Sequence, residues 1–202
     1  MCAQQKTALR GRPKTLDRDH LIEIAKESFW VEGVTNVSVN EICKRAGVSK
    51  PGLYREFGNE DGLKLTVLQN YREHNLVPLY EAIQADRPFA DNVTALSELL
   101  LSHQAETNPP RGCLLQDMTT VRAQMGEAAA DAIEEYRAES LREYENWVAR
   151  ARKNGEISTS LTDTQAAAYI DLQLASAMVL IKRESPVLAI DMFLRTAFSV
   201  FQ

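Results

Sequence analysis

SVNEICKRAGVSKPGLYREF, residues 38–57, is the stretch that decides the fold. Ser38 lies three residues before Glu41, the spacing of a capping box, in which each side chain bonds the other residue's backbone amide. Gly47 then ends the first helix, because the tight turn there needs a residue that tolerates a positive φ. Ser49 caps a second helix. Two short helices joined through such a turn predict a helix-turn-helix.

The second helix of this motif has one apolar side and one exposed side. Leu53 and Phe57 turn inward, and the opposite side carries small, basic and hydroxyl-bearing groups. Such groups contact phosphates and base edges when a helix enters the major groove of DNA. A corner between two helices of an ordinary helical domain is the alternative. The candidates for contact with double-stranded DNA come from the N-terminal arm, both caps, the second helix and the start of the next: Arg10, Arg12, Lys14, Ser38, Ser49, Lys50, Gly52, Tyr54, Arg55 and Lys64.

The residues around the motif resemble those of a known family. The N-terminal domain of the TetR family of transcriptional regulators is matched by Ala25, Phe29, Gly33, Val39, Ile42, Ala46-Gly47-Val48-Ser49, Leu53-Tyr54 and Phe57. The resemblance spans residues 21–68, and beyond them the chain is similar to the family only in size and helical character. It implies a homodimeric repressor that binds a pseudo-palindromic operator and is released by a small-molecule effector. A DNA-binding protein without an effector, and a helical enzyme or binding module that shares only this head, are the alternatives.

Several positions depart from the family pattern. Glu60 stands where the family usually has lysine in the first turn of the fourth helix, and Glu56 stands where the recognition helix often has histidine. Both changes place an acid near the expected phosphate track, where Lys64, one turn further on, could substitute for the missing lysine. Pro51 and Gly52 leave fewer groups to hydrogen-bond base edges.

The charge of the 202-residue chain is unevenly distributed. The net charge is −5, but residues 1–64 carry 11 Lys and Arg against 9 Asp and Glu, and the rest carry 12 against 19. A basic arm and head on an acidic body fit local phosphate contact with little non-specific adhesion by the body. A solvated basic tail is the alternative reading of the arm.

Helical periodicity runs through the whole chain, which predicts an all-α protein of about nine helices. We expect a basic arm (1–15), a helix-turn-helix domain (16–64) and a helical effector-binding and dimerisation domain (65–202). The helices are expected at 17–32, in the motif, at 60–84 with a kink or division at Pro78, and at 91–107, 113–125, 127–154, 163–183 and 186–201. No stretch alternates long enough to be a strand.

The body carries two sets of candidate residues. The last two helices combine small and apolar side chains, which fits either core or a helix–helix interface. The resemblance implies the interface, with candidates Ala168, Leu172, Ala175, Phe193 and Phe198. It also implies an effector pocket, for which aromatic, thioether and thiol groups are candidates, with plain core packing as the alternative: Tyr71, Cys113, Met118, Tyr144, Trp147 and Tyr169.

Other functional classes have little support in the sequence. No catalytic or nucleotide-binding spacing is present, so we expect neither an enzyme nor a cofactor. His103 and Glu106 could share a metal, but one such pair is more often a plain polar pair, and no metal site is expected. No signal peptide is visible, and the apolar run 166–181 is too short and too polar to span a bilayer, so a cytoplasmic location away from membranes is expected. Cys113 is either a redox or electrophile sensor, activated by Arg111 and a helix N-terminus, or a small buried residue.

Overall fold

The computed structural model describes residues 17–106 and 111–202, without the side chains of residues 103–106. Its head begins with α1 (Arg18–Glu32), α2 (Val39–Ala46) and α3 (Lys50–Phe57). The predictions for Arg10, Arg12 and Lys14 and for the His103–Glu106 pair lie outside the described residues and side chains.

Local capping defines the helix-turn-helix largely as the sequence predicts. The Ser38 hydroxyl accepts from the Glu41 amide at 3.2 Å, and Gly47 closes α2 in the left-handed region at φ 65°. The reciprocal half of the predicted capping box is wrong, because the Glu41 carboxylate accepts from Arg45 Nε at 3.1 Å instead. The arginine on the next turn thus competes successfully for the carboxylate that would otherwise reach back to the Ser38 amide.

A single rod then leads from the head into the body. It consists of α4 (Glu60–Tyr71), a π-helical turn (Arg72–Leu76) and α5 (Val77–Gln84). Asn59 caps α4 by accepting from the Gly62 amide at 2.8 Å. Pro78 lies in the first turn of α5, where its missing N–H interrupts the hydrogen-bond ladder, and the wider turn before it absorbs that interruption. The kink or division expected at this proline is thus a change of helix type within one continuous rod.

The body contains α6 (Phe89–Glu106), α7 (Leu114–Thr120), α8 (Glu127–Lys153), α9 (Asp163–Lys182) and α10 (Val187–Phe198). With the α4–α5 rod counted once, the described part of the chain has nine helical rods and no strand, which confirms the all-α fold. The predicted helix 113–125 is shorter than expected. α7 tightens at Val121, whose amide bonds to the Met118 carbonyl, and a separate 3-10 turn (Arg122–Gln124) follows.

α8 is the central helix of the body and packs most extensively on α9 and α4. One core runs without a break from Leu21 in the head to Phe201 at the end of the chain. Within it, an aromatic cluster stacks Phe89 on Trp147, with ring centroids 4.5 Å apart, and includes Phe198 and Phe201. Head and body therefore share buried apolar surface.

Among the described helices, α9 alone is long and apolar enough, by length and composition, to cross a membrane. It extends beyond the run 166–181 at both ends, so the expectation that this segment is too short was wrong. Its inner side packs along α8, and Asp171 lies midway along it.

Candidate DNA-binding surface and internal cavity

A shallow groove opens where the α1–α2 loop, the start of α3 and the start of α4 meet. Hydroxyl, amide and ammonium groups dominate its rim, and the lining residues are Val34, Thr35, Asn36, Val37, Ser38, Val39, Asn40, Lys50, Glu60, Lys64 and Gln124. These groups can donate to phosphate oxygens. The sequence analysis predicted Ser38, Lys50 and Lys64 but missed Thr35 and Asn40. These two residues lie near the N-cap Ser38 and belong to no recognisable sequence motif.

The exposed side of α3 borders this groove. Ser49 uses its hydroxyl oxygen to accept from the Gly52 amide at 3.2 Å, which leaves its O–H free to donate. The Lys50 ammonium lies 5.4 Å from the centroid of the Tyr54 ring, so the aromatic face holds the cation beside the phenol. Arg55 is exposed on the next turn. A cation and a hydroxyl are thus presented together at one end of the recognition helix.

Both acids that depart from the family pattern are paired with a base. Glu56 meets Arg18 of α1 at 3.0 Å, and Glu60 meets Lys64 at 2.8 Å. Lys64 is only 7% exposed and its ammonium is held by Glu60. Lys64 can therefore replace a phosphate-binding lysine, as the sequence suggests, only if its ion pair with Glu60 first breaks.

Other cations of the head differ in their availability. Arg45 is held by Glu32 and Glu41, a pairing that raises the pKa of the guanidinium and lowers the pKa of Glu32. By contrast, Lys44 and Arg55 are exposed and have no acidic partner among residues 17–106 and 111–202. Within the described part of the head, these two cations and Lys50 are the ones left to meet a polyanion. Lys44 was not among the sequence candidates, because its exposure follows from how α2 packs on α1.

A cavity of about 110 Å³ lies inside the body, between the α4–α5 rod and helices α6 to α9. Most of its wall is apolar, and its lining includes Trp30, Tyr71, His74, Asn75, Leu76, Pro78, Leu79, Leu99, Leu100, Arg111, Gly112, Cys113, Leu115, Gln116, Arg137, Ser140, Tyr144, Asp171, Leu174, Ala175, Met178 and Ile181. Such a concave, mostly apolar site with a few polar groups is suited to a small molecule.

Cys113 forms part of the cavity wall and the N-cap of α7. Its sulfur accepts from the Tyr71 hydroxyl at 3.4 Å and from the Gln116 amide at 3.5 Å. Burial raises the pKa of the Cys113 thiol and, together with the nearby sulfur, holds the pKa of Tyr71 well above its usual value. The thiol is therefore protonated at neutral pH, which favours the buried-residue reading over the sensor reading.

The residues that precede Cys113 connect the cavity to the DNA-binding head. Trp30 of α1 donates from Nε1 to the Gly112 carbonyl at 2.9 Å, and its ring meets Tyr71 edge-on at 5.0 Å between centroids. The Arg111 guanidinium pairs with Glu27 of α1 and lies 5.4 Å from the centre of the Trp30 ring. α1 thus touches the cavity wall directly, although Trp30 looks like an ordinary core residue in the sequence.

A second contact between the head and the body lies at the N-terminus of α8. Gly126, the N-cap residue, supplies no side chain, and Asp61 from the first turn of α4 performs the capping instead. Its two carboxylate oxygens accept from the Ala128 amide at 2.9 Å and from the Ala129 amide at 3.2 Å. A Cβ at position 126 would lie 2.2 Å from Asp61 Cγ, so only glycine leaves room for this cap.

The head of this chain matches the family described as "Bacterial regulatory proteins, tetR family" over residues 21–65. The head of the chain therefore belongs to the TetR family of DNA-binding transcriptional regulators. The transcriptional repressor ComR of Escherichia coli K12 is 27% identical over 168 residues, which span 80% of this chain and 78% of ComR.

Two crystal structures support the TetR fold over nearly the whole chain. The regulatory protein TetR from Rhodobacter sphaeroides superposes on 93% of this chain and 100% of its own, with a TM-score of 0.82 and 20% identity. CifR, a TetR family regulator solved as a cysteine mutant with 26-bp operator DNA, covers 95% of this chain and 100% of its own, with a TM-score of 0.78 and 24% identity. At these identities the likeness concerns the fold.

Only part of the predicted effector pocket coincides with the cavity of the body. Tyr71, Cys113 and Tyr144 line it, whereas the other three candidates pack elsewhere. Met118 and Trp147 are fully buried in the core, and the Tyr169 hydroxyl donates to the Ala197 carbonyl at 2.9 Å. Residue type alone could not separate these sets, because aromatic and thioether groups fill cores as readily as pockets.

The last two helices of the body present exposed apolar side chains. They are Leu172 and Val179 of α9 and Val187, Leu188 and Met192 of α10, with Leu188 as much as 69% exposed. Of the five interface candidates, Ala168 and Leu172 are exposed and Phe193 is half-buried. The other two differ from expectation: Ala175 lines the cavity, and Phe198 is buried in the aromatic cluster, because the second apolar side of α10 faces the core.

Proposed function

We propose that this protein is a homodimeric repressor that binds a pseudo-palindromic operator and is released by a small molecule in the body cavity. The observation that carries the proposal is the direct contact between the cavity wall and α1. Trp30 and Glu27 hold the segment Arg111–Gly112, and the same helix packs against α2 and α4 of the head. A ligand that shifts the cavity wall must therefore act on the DNA-binding head.

Lys44, Lys50 and Arg55 supply the expected DNA contact. All three side chains are exposed, and Lys50 lines the groove, while most other cations in the described part of the head are paired with neighbouring acids. Lysine and arginine contacts to phosphate account for most non-specific affinity and its dependence on salt. The hydroxyls of Ser49 and Tyr54 add directional hydrogen bonds beside them.

The apolar face of α9 and α10 supports the dimer. Large side chains such as Leu172, Leu188 and Met192 are exposed on two helices that pack against each other, and a second copy would cover them with the same face. Helix-turn-helix dimers read two half-sites about one helical turn of DNA apart, so two-fold symmetry suits an inverted repeat.

Repression rests on analogy with the curated relatives. ComR and BdcR of E. coli K12 are both named as transcriptional repressors, and BdcR is 24% identical over 164 residues. A cytoplasmic location and binding to DNA without a membrane follow from the same role.

Binding to DNA from the region flanking the protein's own gene tests the proposal. Lys50→Ala should weaken binding to all sequences similarly and lower the slope of log affinity against log salt by about one, because one phosphate contact is lost. Fluorescence anisotropy at several salt concentrations measures both quantities, and native mass spectrometry gives the number of chains per duplex.

Lys153→Ala is the matched control, since Lys153 is an exposed lysine at the far end of α8 and the charge change is the same. If the Lys50 variant behaves like this control, α3 is not part of the interface with DNA. A complex with one chain per duplex would contradict the dimer.

A further inference from the structure

The charges that line the cavity are matched in pairs. Arg111 is paired with Glu27, which belongs to α1. Burial raises the pKa of Asp171, and Arg137, which also lines the cavity, opposes that rise with its positive charge. The His74 ring lies at the exposed rim, with Nδ1 2.9 Å from the Asn70 carbonyl oxygen. A ligand with a net charge would disturb this balance, and an uncharged one would not.

The buried hydrogen-bonding groups of the cavity are mostly satisfied internally. Cys113 bonds with Tyr71, and the Ser140 hydroxyl bonds with both the Tyr80 hydroxyl at 2.7 Å and the Tyr136 carbonyl at 3.0 Å. Arg111 differs, because its Nε–H is buried and has no partner among the residues that the structure describes. A buried donor left unpaired is costly, and an acceptor on a ligand would relieve that cost.

We propose that the cavity binds an uncharged compound with an apolar body and a carbonyl oxygen, and that Arg111 Nε–H donates to this oxygen. The proposal rests on the cavity being the effector site of the proposed function. Leu76, Leu79, Leu99 and Leu100 supply the apolar wall. The same guanidinium pairs with Glu27 and lies over Trp30, so Arg111 contacts both the ligand and α1.

Three probes of similar size separate the contributions of shape, acceptor and charge. Acetophenone carries a carbonyl oxygen, ethylbenzene lacks an acceptor, and benzoate carries a negative charge. Isothermal titration calorimetry on the full chain without DNA should give acetophenone about tenfold tighter binding than ethylbenzene, the size of one hydrogen bond to a charged donor. Benzoate should bind more weakly than acetophenone, because its charge has no unpaired partner in the cavity.

Arg111→Lys keeps the positive charge beside Glu27 but removes Nε–H. In this variant the ratio of acetophenone to ethylbenzene affinity should fall close to one, while the affinity for ethylbenzene is unchanged. Arg142→Lys, an exposed arginine on α8, is the control and should keep the wild-type ratio. Equal affinities of the wild type for both probes, no measurable binding of acetophenone, or an unchanged ratio in the Arg111 variant would overturn the assignment.

The infrared carbonyl band of bound acetophenone provides a test that needs no variant. In the wild-type complex the band should move to lower frequency than in an alkane solvent, and an unshifted band would overturn the assignment. Release of DNA is measured separately. If acetophenone binds through Arg111 but DNA binding is unchanged, only the effector role of the cavity is contradicted. If DNA is released equally well by ligands with and without a carbonyl oxygen, only the role of Arg111 is contradicted.

Discussion

Asp61 holds the N-terminus of the longest helix, and its removal should loosen the body from the head. The carboxylate caps α8 across the head–body boundary by accepting from Ala128 and Ala129. Ala129 is fully buried, so its amide would lose its partner without gaining water. Loss of a helix cap costs roughly 0.5–2 kcal/mol, and an acid at a helix N-terminus contributes up to about 1 kcal/mol more when exposed.

For Asp61→Ala we therefore expect a loss of about 1–2 kcal/mol in the free energy of unfolding. In a chain of this size that corresponds to a fall in melting temperature of roughly 2–8 °C. Asp61→Asn should lose about half as much, because its amide oxygen can still accept from one of the two backbone amides. Differential scanning calorimetry at fixed protein concentration measures the change, with fixed concentration required for a protein that self-associates.

Gly126→Ala makes the test specific to the cap. Its Cβ would overlap the Asp61 carboxylate, while the backbone at φ −73° and ψ 169° accepts alanine without strain. The substitution should therefore destabilise the protein about as much as Asp61→Ala, and the double variant should lose clearly less than the sum. Asp131→Ala, an exposed acid one turn further along α8, is the control. Strict additivity, or an Asp61→Ala loss no larger than the control's, would refute the capping role.

Four further outcomes are expected. Glu60→Gln should free the Lys64 ammonium and tighten binding to specific and random DNA alike at low salt, which anisotropy titration would detect. An unchanged affinity would mean that Lys64 does not contact the DNA backbone. Leu188→Glu should shift the dimer towards monomer in sedimentation, since it places a charge in the exposed apolar face, and an unchanged distribution would place the interface elsewhere. Burial raises the pKa values of Cys113, Tyr71 and Tyr144 in the folded state, so their contribution to stability is complete at neutral pH and is lost as pH rises above about 9. Cys113 should also label with iodoacetamide at pH 7 no faster than Cys43, whose pKa is raised by burial as well, and faster labelling would restore the sensor reading.

The parts of the fold that sequence reasoning predicted well are those with local causes. Ser38 and Ser49 each cap a helix by accepting from the backbone amide three residues further on. Gly47 is needed for one left-handed turn. These interactions depend on nearby residues, so the sequence displays them directly.

The candidate sites were predicted less well because they depend on contacts between distant residues. The cap of α8 joins Asp61 to Ala128, and the link from cavity to head joins Trp30 to Gly112. Neither pair leaves a periodic signal. Likewise, apolar helices were recognised as apolar, but which side of α10 faces the core and which side remains exposed follows only from how it packs on α9 and α6.

Selection of DNA sites from a random pool by the full chain tests the central claim most directly, that two copies of this protein read operator DNA through α3. We expect a short inverted repeat whose half-sites are centred about one helical turn, roughly 34–36 Å, apart. The selected duplex should carry an even number of chains, and Lys50→Ala should weaken that complex. Recovery of no preferred sequence, or of a single half-site occupied by one chain, would contradict it.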